Sequence, residues 1–85
     1  KILSNLEEYN FNSSIYPNPA SESLFIESNN LISSISIYNT QGYLINHFKI
    51  NNFIEEISVS NFLPGMYILT ISNGNYQSYH KFFKK

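Results

Sequence analysis

From residue 13 onward, apolar and polar positions alternate in short runs, each closed by residues that favour turns. Successive side chains of a β-strand face opposite ways, so alternation of period two marks strands with one buried face. Ile15-Tyr16 is the first such run and it meets Pro17-Asn18-Pro19. Two prolines there forbid helix and supply no backbone donor, so this strand ends or lies at an edge. Ser23-Leu24-Phe25-Ile26-Glu27 sets Leu24 and Ile26 on one face and Phe25 on the other, and Asn29-Asn30 predicts a turn. Ile35-Ser36-Ile37-Tyr38 directs Ile35 and Ile37 inward. Asn39-Thr40-Gln41-Gly42 is a hairpin signal, with Gly42 free to take a positive φ, and Tyr43 to Ile50 returns as its partner. Asn51-Asn52 predicts another turn, and Glu56-Ile57-Ser58-Val59-Ser60 turns Ile57 and Val59 inward. Phe62-Leu63-Pro64-Gly65 is a corner. The following run, Met66-Tyr67-Ile68-Leu69-Thr70-Ile71, is apolar on both faces and is expected to be the central, most buried strand. Asn73-Gly74 marks the last hairpin. The final run, Tyr76 to Phe83, has Tyr79 and Phe83 on one face and His80 with Phe82 on the other, which leaves its inward face open.

About seven short strands with turns roughly every 8–12 residues predict an all-β domain, an immunoglobulin-like two-sheet antiparallel sandwich. Residues 1–13 read as a linker or lead-in from a preceding domain, and 14–85 as the folded unit. Ile2, Leu3, Leu6 and Tyr9 have the spacing of a short helical turn, which Asn5 and Asn10 weaken in favour of a linker. With Lys at position 1 and no signal-peptide core, the chain reads as the C-terminal piece of a longer polypeptide ending at Lys84-Lys85. The expected core is Ile35, Ile37, Ile57, Val59, Tyr67, Leu69 and Ile71.

Composition supports strands and removes several functions. Seven Phe, seven Tyr and twelve Ile suit a pleated surface, while a single Ala leaves the best helix former nearly absent. Eighty-five residues make one small domain of marginal stability. Five Lys against six Glu give a formal net charge of −1, without the clustered basic excess that nucleic acid or an anionic membrane demands. No apolar stretch approaches the roughly 20 residues of a membrane span. The absence of Cys excludes disulfides, thiolate metal sites and a Cys nucleophile.

Candidate chemistry is thin. His47 and His80 sit within predicted strands, and with no Asp in the chain a Ser-His-acid set lacks its usual orienting group. Glu55 and Glu56 are strand neighbours that point to opposite faces, so they do not act as a carboxylate pair. They read instead as charge that discourages pairing at a strand edge. The adjacent amides of Asn29-Asn30 and Asn51-Asn52 lack the alternating oxygens of a calcium loop, and Gly42, Gly65 and Gly74 are too scattered to cradle a phosphate. No enzyme, metal site or cofactor is expected. Tyr38, Tyr43, Tyr76 and Tyr79, if aligned, would stack on sugars and make the domain a carbohydrate- or protein-binding module, although cross-strand aromatic pairing explains them as well. Tyr67, two residues beyond Gly65, suits a tyrosine corner whose hydroxyl bonds back to upstream backbone.

Four motifs occur in order: Tyr16-Pro17-Asn18-Pro19-Ala20, Ile37-Tyr38-Asn39 followed by Gly42, Leu63-Pro64-Gly65-Met66-Tyr67, and Lys81-Phe82-Phe83-Lys84-Lys85. Together, over residues 14–85, they resemble the type A C-terminal sorting domain of the type IX secretion system of Bacteroidetes. The resemblance implies a non-enzymatic signal on a larger secreted cargo, with Pro17, Asn18, Pro19, Gly42, Gly65, Tyr67, Lys81, Lys84 and Lys85 as its motif residues. It further implies presentation to an outer-membrane translocon and shuttle protein, and removal by a sortase-like protease that cuts within residues 1–13. The cargo would then be released or attached at the cell surface. Phe82-Phe83 departs from the aliphatic residues usual in the family. Three of the five lysines lie in the last five residues, so the final strand and its basic end are expected to form much of the recognised surface.

Overall fold

The structure, a computed structural model, describes residues 12–85. The short helical turn, and the part of the lead-in and expected cleavage region within residues 1–11, lie outside the described residues. Five strands form, and no helix is present among the described residues: β1 (Ser13–Tyr16), β2 (Ser23–Asn39), β3 (Leu44–Ser58), β4 (Gly65–Ser72) and β5 (Gln77–Lys84). All are antiparallel in one sheet, where β2 pairs with β1, β3 and β4, and β4 pairs with β5.

The all-β expectation holds, but about seven strands in two sheets become five in one curled sheet. Two expected turns do not reverse the chain: Asn29-Asn30 lies inside β2 and Asn51-Asn52 inside β3. Each joins two expected strands into one, which takes seven to five. The pairing gives the physical reason. Glu27 is opposite Ile54 and Ile32 is opposite Asn52, so five steps along β2 match two along β3. The surplus on β2 is a bulge, and a bulge bends a strand pair without ending it. Both Asn pairs therefore lie at one shared bend. Before it, β2 is flanked by β1 and the end of β3; after it, by the start of β3 and by β4.

The bend also keeps the apolar residues inward. Leu24, Ile26 and Ile32 are buried at even positions of β2, then Ile35 and Ile37 at odd ones, a change of phase that a straight strand would not allow. These five residues join Ala20, Ile57, Val59, Tyr67, Leu69, Ile71 and Phe82 in a single core. All seven residues of the expected core are among them. The central strand is β2 rather than β4, because β2 has three partners and runs through both halves of the sheet. In β4 only Tyr67, Leu69 and Ile71 are buried, while Met66 is exposed and Ile68 half-buried on the opposite face.

Asparagine side chains close both hairpins. Asn39 Oδ1 accepts the backbone N–H groups of Gln41 and Tyr43, each at 3.0 Å. Asn73 Oδ1 does the same for Asn75 and Tyr76, at 3.1 and 2.9 Å. An Asn carbonyl that substitutes for a backbone acceptor favours such turns.

Candidate recognition surface

The open question of how β5 faces is settled by its burial. Phe82 and Lys84 are buried and Ser78 and His80 half-buried, so this set points inward; Tyr79, Lys81 and Phe83 point out. Phe82 is fixed by aromatic packing, since its ring stacks on Tyr67 at 5.4 Å between centroids and both rings lie near Phe62. Such contacts contribute about 0.5–1.5 kcal/mol beyond burial. Tyr67 also donates from its hydroxyl to the Leu63 carbonyl at 2.6 Å, which forms the anticipated corner. Gly65 opens β4 at φ +146°, a conformation that L side chains rarely adopt, so a glycine is required between Pro64 and Met66.

The outer edge of β5 is covered by the segment after β1. Ala20 donates its N–H to the Phe83 carbonyl at 2.8 Å and accepts the Lys85 N–H at 2.9 Å. One step nearer the start of β5, the Asn18 side chain accepts the Phe83 N–H at 2.9 Å and donates to the Lys81 carbonyl at 3.3 Å. Its amide thus imitates a strand residue. Pro17 and Pro19 flank it, each following a cis peptide bond. Neither proline carries an N–H, so the side chain of Asn18 and the backbone of Ala20 form the bonds. The structure therefore joins Pro17-Asn18-Pro19-Ala20 to Lys81–Lys85, two motifs more than sixty residues apart, as one unit.

The remaining motif residues are spread out. Gly42, at φ +92°, lies in the β2–β3 turn and donates its N–H to the Asn39 carbonyl. Lys81 and Lys85 are exposed, whereas Lys84 is only 7% exposed and donates to the Lys85 carbonyl at 3.1 Å. The terminal lysines thus do not share one face. Sequence reasoning missed the clamp made by Asn18 and Ala20 because the bonding partners are distant in the chain and no local pattern announces them. The burial of Ala20 at the foot of β5 was missed for the same reason.

Both histidines contact serines. Ser36 Oγ is 2.8 Å from His47 Nδ1 on the exposed surface. Ser13 Oγ lies 2.7 Å from His80 Nε2 and 2.8 Å from Ser78 Oγ, which ties β1 to β5. Burial lowers the pKa of His80. A depression of about 300 Å³ is lined by Asn12, Ser13, Ser14, Glu27, Ser28 and Asn29. Its one carboxylate, Glu27, accepts a hydrogen bond from the Tyr16 hydroxyl, and that bond chiefly raises the Tyr16 pKa. Of the four tyrosines considered for sugar stacking, Tyr38 and Tyr79 share the outer face, whereas Tyr43 and Tyr76 belong to different turns. They do not make a row.

Comparison with protein families finds a match over residues 14–85 to the family described as the secretion system C-terminal sorting domain. Comparison with curated proteins finds no match.

Proposed function

The chain belongs to the type IX secretion C-terminal sorting domain family, and from that premise we propose that its folded surface is what the export machinery reads on a cargo protein. The domain is a C-terminal sorting signal, and it acts by being recognised rather than by reacting. A cargo domain joined on its N-terminal side reaches the periplasm, and the tail is then presented to the type IX translocon and an outer-membrane shuttle protein. A sortase-like protease removes the tail within the lead-in, and the cargo is secreted or fixed at the cell surface. No nucleic acid, membrane insertion or cofactor enters this scheme.

The single observation that carries the reading is the family match over residues 14–85, which takes in every described strand except the first residue of β1. The structure supports a signal read after folding. Pro17-Asn18-Pro19-Ala20 and Lys81–Lys85 meet through the bonds from Asn18 and Ala20 to the edge of β5, so an unfolded tail does not present them jointly. The test is to join residues 1–85 to a reporter directed to the periplasm of a host with type IX secretion. The reporter is expected in the medium or on the surface. Retention in the periplasm, with the tail folded, refutes the proposal.

A further inference from the structure

We infer that the outer face of β4 and β5, continued onto the second half of β2, is a protein-docking surface whose partner presents an apolar patch with a carboxylate that meets Lys81. This rests on the sorting-signal reading and names the chemistry of what reads the signal.

Register places the residues. Tyr38, Ile68 and Lys81 lie in one row across three strands, and Leu44 of β3 extends that row. Met66 and Phe83 form the adjoining row, Thr70 and Tyr79 the row on the other side. Leu44, Met66 and Phe83 are 56%, 41% and 45% exposed, so an apolar patch borders the Lys81 ammonium on the side of β4, while Lys49, opposite Ser34, lies at the far side of the same face. Contiguous exposed apolar surface on a small domain marks an interaction site.

The edge of β5 is already bonded to Asn18 and Ala20, so a partner does not add a strand there and must approach by the face. Charge then specifies the partner. No described glutamate lies on this face: Glu22 precedes β2, and Glu27, Glu55 and Glu56 lie beyond the bend. When the apolar neighbours of Lys81 are covered, its ammonium loses water, and a buried charge without a counter-charge is costly. The partner therefore supplies the carboxylate. A lipid surface fits poorly, because Lys49, Lys81 and Lys85 are spread apart and fall short of the clusters of about 4–8 basic residues that bind anionic membranes.

The experiment compares export of the reporter joined to residues 1–85 with that of Lys81→Glu, Lys81→Arg, Phe83→Ser and Lys49→Glu forms. Lys81→Glu and Phe83→Ser are each expected to lower export about tenfold or more, as the loss of a central contact does. Lys81→Arg and Lys49→Glu should stay within about twofold of the parent. Lys81 is exposed, so its charge reversal leaves the melting temperature of the purified chain nearly unchanged. Parental export by Lys81→Glu and Phe83→Ser, while a reporter lacking residues 14–85 stays inside, overturns the docking face and leaves the sorting reading intact. Export of the reporter lacking those residues sinks the sorting reading itself. Binding of the purified chain to phosphatidylglycerol vesicles that Lys81→Glu abolishes overturns the protein partner in favour of a membrane.

Discussion

Replacing Asn18 by Ala tests whether the segment between the two prolines holds the terminal strand. The substitution removes two hydrogen bonds and leaves the backbone bonds of Ala20 in place. The bond from the Phe83 N–H, at 2.9 Å, has full length, whereas that to the Lys81 carbonyl, at 3.3 Å, is long. A net value of about 1 kcal/mol for the first and less than half of that for the second gives a loss of roughly 1–1.5 kcal/mol. In a domain of this size that lowers the melting temperature by about 4–12 °C. Asn18→Asp keeps the acceptor for Phe83 but turns a carboxylate oxygen toward the Lys81 carbonyl, so it too should melt below the parent. Thermal melting followed by circular dichroism measures the size. Amide hydrogen exchange locates it: the Phe83 amide should exchange faster in Asn18→Ala, and Leu69, in the middle of β4, should change only as far as global stability does. A melting temperature within about 2 °C of the parent, or unchanged exchange at Phe83, refutes the clamp.

Tyr67→Phe keeps the ring stacked on Phe82 and removes only the hydroxyl bond to Leu63, so it should cost about 1 kcal/mol in denaturant unfolding. Gly65→Ala should destabilise by about 1–3 kcal/mol even though nothing beyond its chain neighbours lies within 4 Å of the added carbon, because the cost is conformational; a melting temperature equal to the parent's would contradict this. Burial depresses the pKa of His80, so the unfolded chain binds the proton more readily. Stability should be complete above about pH 6.5 and fall as the pH drops from there toward the folded pKa, and His80→Gln should flatten this dependence in melts taken from pH 5 to 8. No described strand pairs with the outer edge of β3, and Glu55 and Glu56 stand on that strand. Removing both charges as Glu55→Gln with Glu56→Gln should raise self-association in sedimentation velocity.

Much of the fold was legible because burial follows alternation. The inward sets Ile35/Ile37, Ile57/Val59 and Tyr67/Leu69/Ile71 follow directly from period two, and Asn39 to Gly42 and Asn73-Gly74 turn where their chemistry says. The asparagine pairs were not legible. Asn-Asn suits both a reversal and a bend, and the choice depends on whether the residues opposite are also strand, as Ile54 opposite Glu27 proves to be. The facing of β5 was hidden for a different reason. Both of its faces carry an aromatic residue, so hydrophobicity alone is degenerate, and the choice falls to Tyr67, whose ring offers Phe82 a stacking partner inside the core. Of the motif residues, the roles of Gly65 and Tyr67 in the corner were readable locally. That of Asn18 was not, since its partners lie at the far end of the chain.

The placement of Phe82 changes how the basic end is to be tested. Deleting Lys81 to Lys85 would remove two outward lysines together with a fully buried ring and every group to which Asn18 and Ala20 bond. Losing a buried Phe alone costs about 3–5 kcal/mol, comparable to the whole stability of a domain this small. The deleted chain would therefore unfold, and its failure to be exported would not separate a lost contact from a lost fold. Substitution by face separates them. Phe82→Ala should reduce both folding and export, whereas Lys81→Glu should leave melting intact and reduce export alone. Equal loss of melting temperature in the two variants would mean that Lys81 supports the fold rather than meeting a partner.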